Sequence, residues 1–184
     1  MKSHHPTWEM ISKTRADYRE YYWEYWKHND LFSFGWWLLL AINLLFIYMA
    51  VKILDRSRLF ELLTVAGIII SFSTMLDTIL IQYGLTSYPT SLTPLTPSFF
   101  VSTYIILPVI YMLLYQLFSS WKSYLVANII TCIFLAFIIE KLLRLLHIYQ
   151  YIHWNSFYSF LAYFGIGLFS KIIMNILCNK QLRS

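Results

Sequence analysis

Residues 78–121 read TILIQYGLTSYPTSLTPLTPSFFVSTYIILPVIYMLLYQLFSSW, 44 residues without a single Lys, Arg, Asp or Glu. A soluble domain cannot place so long an uncharged stretch on its surface, nor hide it in a core drawn from 184 residues. The run Leu31–Val51 is equally free of charge. About 20 apolar residues suffice for a helix to cross the hydrocarbon of a bilayer, so such runs are read as membrane spans. Composition agrees: 59% of residues are hydrophobic, 20% aromatic and only 12% charged. Disordered, collagen-like and disulfide-stapled classes are excluded by the same figures.

Working outward, the pattern predicts an all-α polytopic protein of five transmembrane helices in an up-down bundle, at about 31–52, 59–83, 98–118, 123–147 and 155–177. Short links at 53–58 and 119–122 imply antiparallel neighbours. Gly84 to Pro97, with three prolines, many hydroxyls and no charge, reads as an exposed extended loop. Before the spans, residues 1–30 carry ten charges. Trp8, Ile11, Tyr18, Tyr22 and Trp26 recur there at helical spacing, which predicts an amphipathic interfacial helix. Residues 178–184 form a basic tail. Charge precedes the first apolar run and no small-residue cleavage pattern follows it, so that run reads as an uncleaved anchor.

The excess of 14 Lys and Arg over nine Asp and Glu flanks apolar segments, where it signals topology and headgroup contact rather than nucleic acid. With the N-terminal segment set aside, the Lys and Arg count and the charge-free loop favour an outside N-terminus and an inside C-terminus. The partners this implies are the lipid bilayer itself and either another membrane protein or a second copy of the chain.

Ionisable groups inside a span are costly and mark sites or helix contacts. Asp77 and Glu140 fall on spans two and four, which run from the same side, so they should lie at similar depth. Thr74 accompanies Asp77 on a polar strip with Ser73 and Thr78. On span four, Asn128, Cys132, Ala136, Glu140 and Arg144 follow a four-residue ridge, with His147 beyond it. Glu140 and Arg144 at i, i+4 read as an ion pair. The pattern admits a polar pocket in one leaflet, lined by Asp77, Glu140, Arg144, His147 and Thr74 and covered by the Pro/Thr loop. It equally admits polar groups that merely hydrogen-bond neighbouring helices and specify their pairing.

Other candidates carry less. Asp17, Glu20, Glu24 and His28 share a helical face but lack the second Glu-x-x-His helix of a carboxylate metal site, so they read as solvated. His28, His147 and His153 lie at span margins, unsuited to haem. Lys171 is expected to snorkel to the interface, and Pro108 to kink span three. Trp36, Trp37, Trp121 and Trp154 read as interfacial anchors. Cys132 and Cys178 form no Cys-x-x-Cys pair. Phosphate-loop, zinc-protease, serine-hydrolase and Asp-x-x-Asp signatures are absent, and no cofactor or metal is implied.

The chain resembles a family of small uncharacterised multi-pass membrane proteins of spore-forming Gram-positive bacteria. The likeness rests on Trp36-Trp37, on Leu107-Pro-Val-Ile-Tyr-Met-Leu-Leu-Tyr-Gln116, on Ser120-Trp-Lys-Ser-Tyr-Leu125 and on Glu140, and covers most of residues 31–177. It implies a bacterial cytoplasmic membrane and no catalytic residue. Three functions follow in order of expectation. The first is a non-enzymatic accessory or structural component of a membrane assembly. The second is a small ion, proton or solute carrier using Asp77 and Glu140. The third is an intramembrane enzyme acting on a lipid-soluble substrate. Convergence of the two carboxylates on one cavity is what separates the first from the others.

Overall fold

The computed structural model describes residues 5–95 and 102–181, and these are almost wholly helical. Helix α1 (Trp8–Tyr25) runs into a π-helical turn, Trp26–Asp30, and is followed by α2 (Phe34–Ile53) and α3 (Leu59–Gln82). A two-residue strand β1 (Thr86–Ser87) leads to a second π-helical turn, Ser102–Ile106, and α4 (Leu107–Leu117). Then α5 (Trp121–Ile133), a π-helical stretch Phe134–Ile139 and α6 (Glu140–Leu145) form one continuous rod, with strand β2 (Gln150–Tyr151) and α7 (Ser156–Gln181) after it.

The starts and stops are local chemistry. Thr7, Ser33 and Ser120 each accept an N–H from the first turn of the helix they precede, at 3.2–3.3 Å, and Asn155 accepts those of Phe157 and Tyr158. Helix α3 ends where Gly84 takes φ of 63° and the Leu85 N–H returns to the Leu80 carbonyl at 2.8 Å. Helix α6 ends in the same way at His147, φ 54°, with the Ile148 N–H on the Leu143 carbonyl. A histidine pays for this left-handed position in a way that glycine does not.

Four helical segments are long and apolar enough to cross a membrane: Phe34–Ile53, Arg56–Gln82, Trp121–Leu145 and Ser156–Lys180. Span three is the exception to the expected five. Its apolar helix, Thr103–Leu117, extends about 22 Å at 1.5 Å per residue, short of a hydrocarbon core of about 30 Å. The expected residues 98–101 lie outside those described. Pro108, expected to kink a continuous span, instead sits in the first turn of α4, directly after the wide π turn. A proline ring and its missing N–H are best accommodated at such a position. At the other end α7 runs on to Gln181, so most of the expected tail is helix.

The bundle is not a simple up-down ring. Helix α3 packs on α4 and α7, and α5 packs on α7, whereas α2 leans on α4 and the π turn before it rather than on α3, its neighbour in sequence. The tight link at residues 54–58 fixes proximity at one end only. The core joins Leu62, Val65 and Ile69 of α3 to Tyr111, Met112 and Tyr115 of α4, Tyr124 of α5 and Ile166 of α7. Outward, α2, α3 and α5 present Leu44, Phe60, Met75 and Ile130, all more than half exposed, a surface suited to lipid and unsuited to water.

The ridge Asn128, Cys132, Ala136 and Glu140 is buried throughout. In an unbroken α-helix three four-residue steps would carry Glu140 about 120° around the rod from Asn128. The π-helical stretch at Phe134–Ile139 unwinds that drift, and one face of the rod stays buried from end to end. Opposite this ridge lies Gly167 of α7, where a Cβ would come within 2.5 Å of Tyr111 Cε1 and 2.6 Å of Asn128 Oδ1. The resulting closeness lets Tyr124 donate to the Gly167 carbonyl at 2.9 Å and Tyr111 to that of Tyr163 at 2.7 Å.

Candidate functional site

A cavity of about 470 Å³ lies at the centre of the bundle. Its walls include Leu39, Ile42 and Phe46 of α2, Leu76 and Leu80 of α3, Ile106, Leu107 and Ile110, Phe134, Leu135 and Ile139, and Ala162 and Ile166 of α7. Both of the wide π-helical segments that face the bundle centre, Ser102–Ile106 and Phe134–Ile139, contribute to it. Asp77 and Glu140 both line it, with Ser73, Thr103, Thr131 and Ser159 as further polar neighbours and Tyr88, Tyr149, Trp154 and Tyr163 as aromatic ones. Among the described residues no Lys, Arg or His lines the cavity.

Each carboxylate is held by tyrosine. Tyr163 of α7 donates to Glu140 Oε1 at 2.7 Å, and Tyr151 donates to Glu140 Oε2. The Tyr88 hydroxyl, carried by the loop after β1, donates to Asp77 Oδ1. The rings continue the network: Tyr88 stacks on Tyr149 with centroids 5.2 Å apart, and Tyr149 meets Tyr151 edge to face at 5.2 Å. Trp154 Nε1 donates to Ser159 Oγ at 2.9 Å, within reach of the Tyr151 hydroxyl. Burial pushes the loop hydroxyls of Tyr88, Tyr149 and Tyr151 up and the nearby carboxylates push them further, so all three remain proton donors at neutral pH.

The sequence candidates divide accordingly. Asp77 and Glu140 meet in one cavity. Thr74 points elsewhere, its buried Oγ1 without a hydrogen-bond partner among the described residues. Arg144 does not pair with Glu140: among the described residues no ion pair links them, and the guanidinium lies 4.2 Å over the Tyr151 ring. Tyrosine hydroxyls occupy the Glu140 oxygens that the guanidinium would have used. His147 is exposed, at the left-handed turn, and offers its carbonyl to Thr90 at 3.1 Å.

The described part of the Pro/Thr loop, residues 84–95, closes this end of the cavity rather than standing exposed; residues 96–97 lie outside those described. β1 pairs antiparallel with β2, Thr86 opposite Tyr151, which ties the loop to the link between α6 and α7. From the other side the end of α1 grips it. Asp30, buried, accepts from the Ser91 N–H at 2.9 Å and the Ser91 hydroxyl at 3.2 Å. Tyr22 donates to Ser91 Oγ at 2.9 Å, Tyr25 to the Pro89 carbonyl, Trp26 Nε1 to the Ser91 carbonyl and Trp36 Nε1 to that of Leu92. Along α1 itself no side chain is buried. Asp30 has its carboxyl raised above the ordinary range, because burial outweighs the Ser91 bonds.

At the opposite end a second polar cluster closes the bundle. Glu61 accepts from Arg58 Nε and from the Tyr115 hydroxyl, both at 2.7 Å. Lys171, expected to reach the interface, is instead buried, 4.3 Å from the Tyr115 ring and 5.0 Å from the Tyr124 ring, its Nζ donating to the Ser119 carbonyl. Aromatic faces and a turn carbonyl replace the water it would have sought. On α1, Glu24 bonds Lys27 and His28, and among the described residues no group of three metal-ligating side chains assembles.

The tyrosines are what sequence reasoning missed. A membrane tyrosine reads by default as an interfacial anchor, and nothing in the spacing of Tyr88, Tyr151 and Tyr163 joins them to carboxylates far away in the chain. The four-residue period from Asn128 to Glu140 is the one signal that pointed toward the widened wall. Compared with known proteins, the chain matches no protein-family model, no curated protein and no solved structure.

Proposed function

We propose that the protein is a multi-pass membrane protein that binds a small amphipathic solute in the cavity between Asp77 and Glu140, as a carrier or solute-binding component. The observation that carries this is one of placement. Two carboxylates from different helices line a single, largely apolar cavity whose described walls hold no cation. Two acids in such surroundings are costly, and proteins retain that cost where a ligand or proton offsets it. Apolar walls with a few convergent polar groups are the usual form of a small-molecule site. The bilayer we assign is the bacterial cytoplasmic membrane, with Thr103–Leu117 as a short fifth crossing, the N-terminus outside and the C-terminus inside.

A second reading, an accessory component of a membrane assembly, is favoured by α1, whose Trp8, Tyr18 and Tyr21 are all more than half exposed. The two are separated with the fluorescent apolar probe 1-aminoanthracene and protein in lipid nanodiscs. Saturable binding of one probe per chain, abolished when Ala162→Trp fills the cavity at unchanged folded yield, is the expected result. Partition that never saturates and is indifferent to Ala162→Trp overturns the solute-binding reading.

A further inference from the structure

We infer that the cavity selects organic cations dissolved in the membrane, of the type of a protonated amine on an alkyl body, and admits them sideways between α2 and the π-helical stretch Phe134–Ile139. This rests on the solute-binding reading above and adds its substrate class and route.

Charge decides the class. Asp77 and Glu140 are the ionisable acids on the wall, and Arg144, the nearest basic side chain on the same rod, is turned onto the Tyr151 ring instead of into the cavity. Among the described residues, neutral hydroxyls donate to both carboxylates, Tyr88 to Asp77 and Tyr151 and Tyr163 to Glu140. These satisfy lone pairs without cancelling charge, and a carboxylate has about four acceptor sites. Tyr88, Tyr149, Trp154 and Tyr163 line the same end, and aromatic rings stabilise an ammonium that has left water. A neutral alcohol could use the hydroxyl network; only a cation uses the charge. Among the described wall residues an anion would meet two acids and no base.

Size sets the body. At the volume of a water, about 30 Å³, the cavity holds about 16 non-hydrogen atoms, which suits an amine with a chain of ten to twelve carbons.

The route follows from the packing. Leu45 of α2 and Phe134 of the π-helical stretch both line the cavity, yet they are 52% and 48% exposed. Leu45 and Phe134 are the most exposed of the residues lining the cavity, so the wall meets the outer surface of the bundle at α2 and at the π-helical stretch. The polar end, in contrast, is closed by the β ribbon and the clasped loop. A ligand that already lies in hydrocarbon meets the side opening first.

Competition against bound 1-aminoanthracene in nanodiscs tests the inference with dodecylamine, dodecanol and dodecanoate, compared at equal membrane concentrations. Dodecylamine should displace the probe at a concentration about tenfold or more below that of dodecanol, and dodecanoate should be the weakest. In the Asp77→Asn/Glu140→Gln variant, at unchanged folded yield, the amine's advantage should fall to about onefold, each competitor being read against that variant's own affinity for the probe. Leu45→Trp should slow displacement several-fold without altering the amine-to-alcohol ratio. Equal displacement by amine and alcohol in the unaltered protein, or an advantage that survives loss of both carboxylates, overturns the cation class while leaving solute binding standing. An unchanged rate in Leu45→Trp overturns the sideways route. Failure of the probe itself to bind removes the underlying reading and this inference with it.

Discussion

Gly167→Ala offers the sharpest test of how the bundle is held together. The added methyl would lie 2.5 Å from Tyr111 Cε1, 2.6 Å from Asn128 Oδ1 and 2.9 Å from Asn128 Nδ2. Neither neighbour can step aside freely. Tyr111 is fully buried and donates to the Tyr163 carbonyl, and Asn128 is fully buried between that carbonyl's helix and Cys132. Overpacking of this kind costs about 2 kcal/mol, and disturbing one buried hydrogen bond adds about 1 kcal/mol. Exchange of Gly for Ala in a helix returns about 1 kcal/mol. The net expectation is a loss of about 2 kcal/mol. Gly165→Ala, two residues away on the same helix, meets nothing within 4 Å and should simply gain the helix propensity, about 1 kcal/mol. The two variants should therefore differ by about 3 kcal/mol, or about 6–12 °C in Tm for a chain of this size. Thermal unfolding in detergent, followed by size-exclusion chromatography with tryptophan detection, reads that difference. Equal Tm values for the two variants would refute the claim that α5 and α7 approach so closely only because residue 167 has no side chain.

Two further outcomes follow from the cavity's closed end. The raised carboxyl of Asp30 means that folding favours its protonated form. The clasp is therefore fully stable below the unfolded value of about 3.9 and weakens as pH rises through the raised one. The protection factor of the Ser91 amide, its exchange corrected for the intrinsic base-catalysed rate, should fall over that rise in the unaltered protein and stay flat in Asp30→Asn; a protection factor that rises with pH would contradict the assignment. His147→Gly should raise stability by about 1 kcal/mol, because the left-handed turn at φ 54° strains any residue with a Cβ and the exposed imidazole contributes nothing to the cavity. Destabilisation, measured by the same chromatography, would restore a role to that side chain.

How much of this was written in the chain depends on the range of the interaction. Apolar runs free of charge determine membrane-type helices one segment at a time, since each run must either enter lipid or be hidden, and four helices follow from it directly. Caps at Thr7, Ser33, Ser120 and Asn155, and the turn at Gly84, are likewise local and legible. The depth of Asp77 and Glu140 was legible too, because both lie about two turns from the same end of helices running in the same direction. Their convergence was not. It depends on α7 meeting α5 at Gly167, on the π-helical stretch keeping a four-residue ridge on one face, and on α2 standing away from α3. Each of these is a contact between segments distant in sequence. The tertiary structure alone decided that Arg144 would turn onto Tyr151, that Lys171 would be buried between rings, and that the loop expected to cover the pocket would place Tyr88 on Asp77. For Asp77, Glu140 and Lys171 a partner from another segment satisfies the polar group, while the Arg144 guanidinium meets a ring face and its Nε has no hydrogen-bond partner among the described residues; no helical period carries information about such partners.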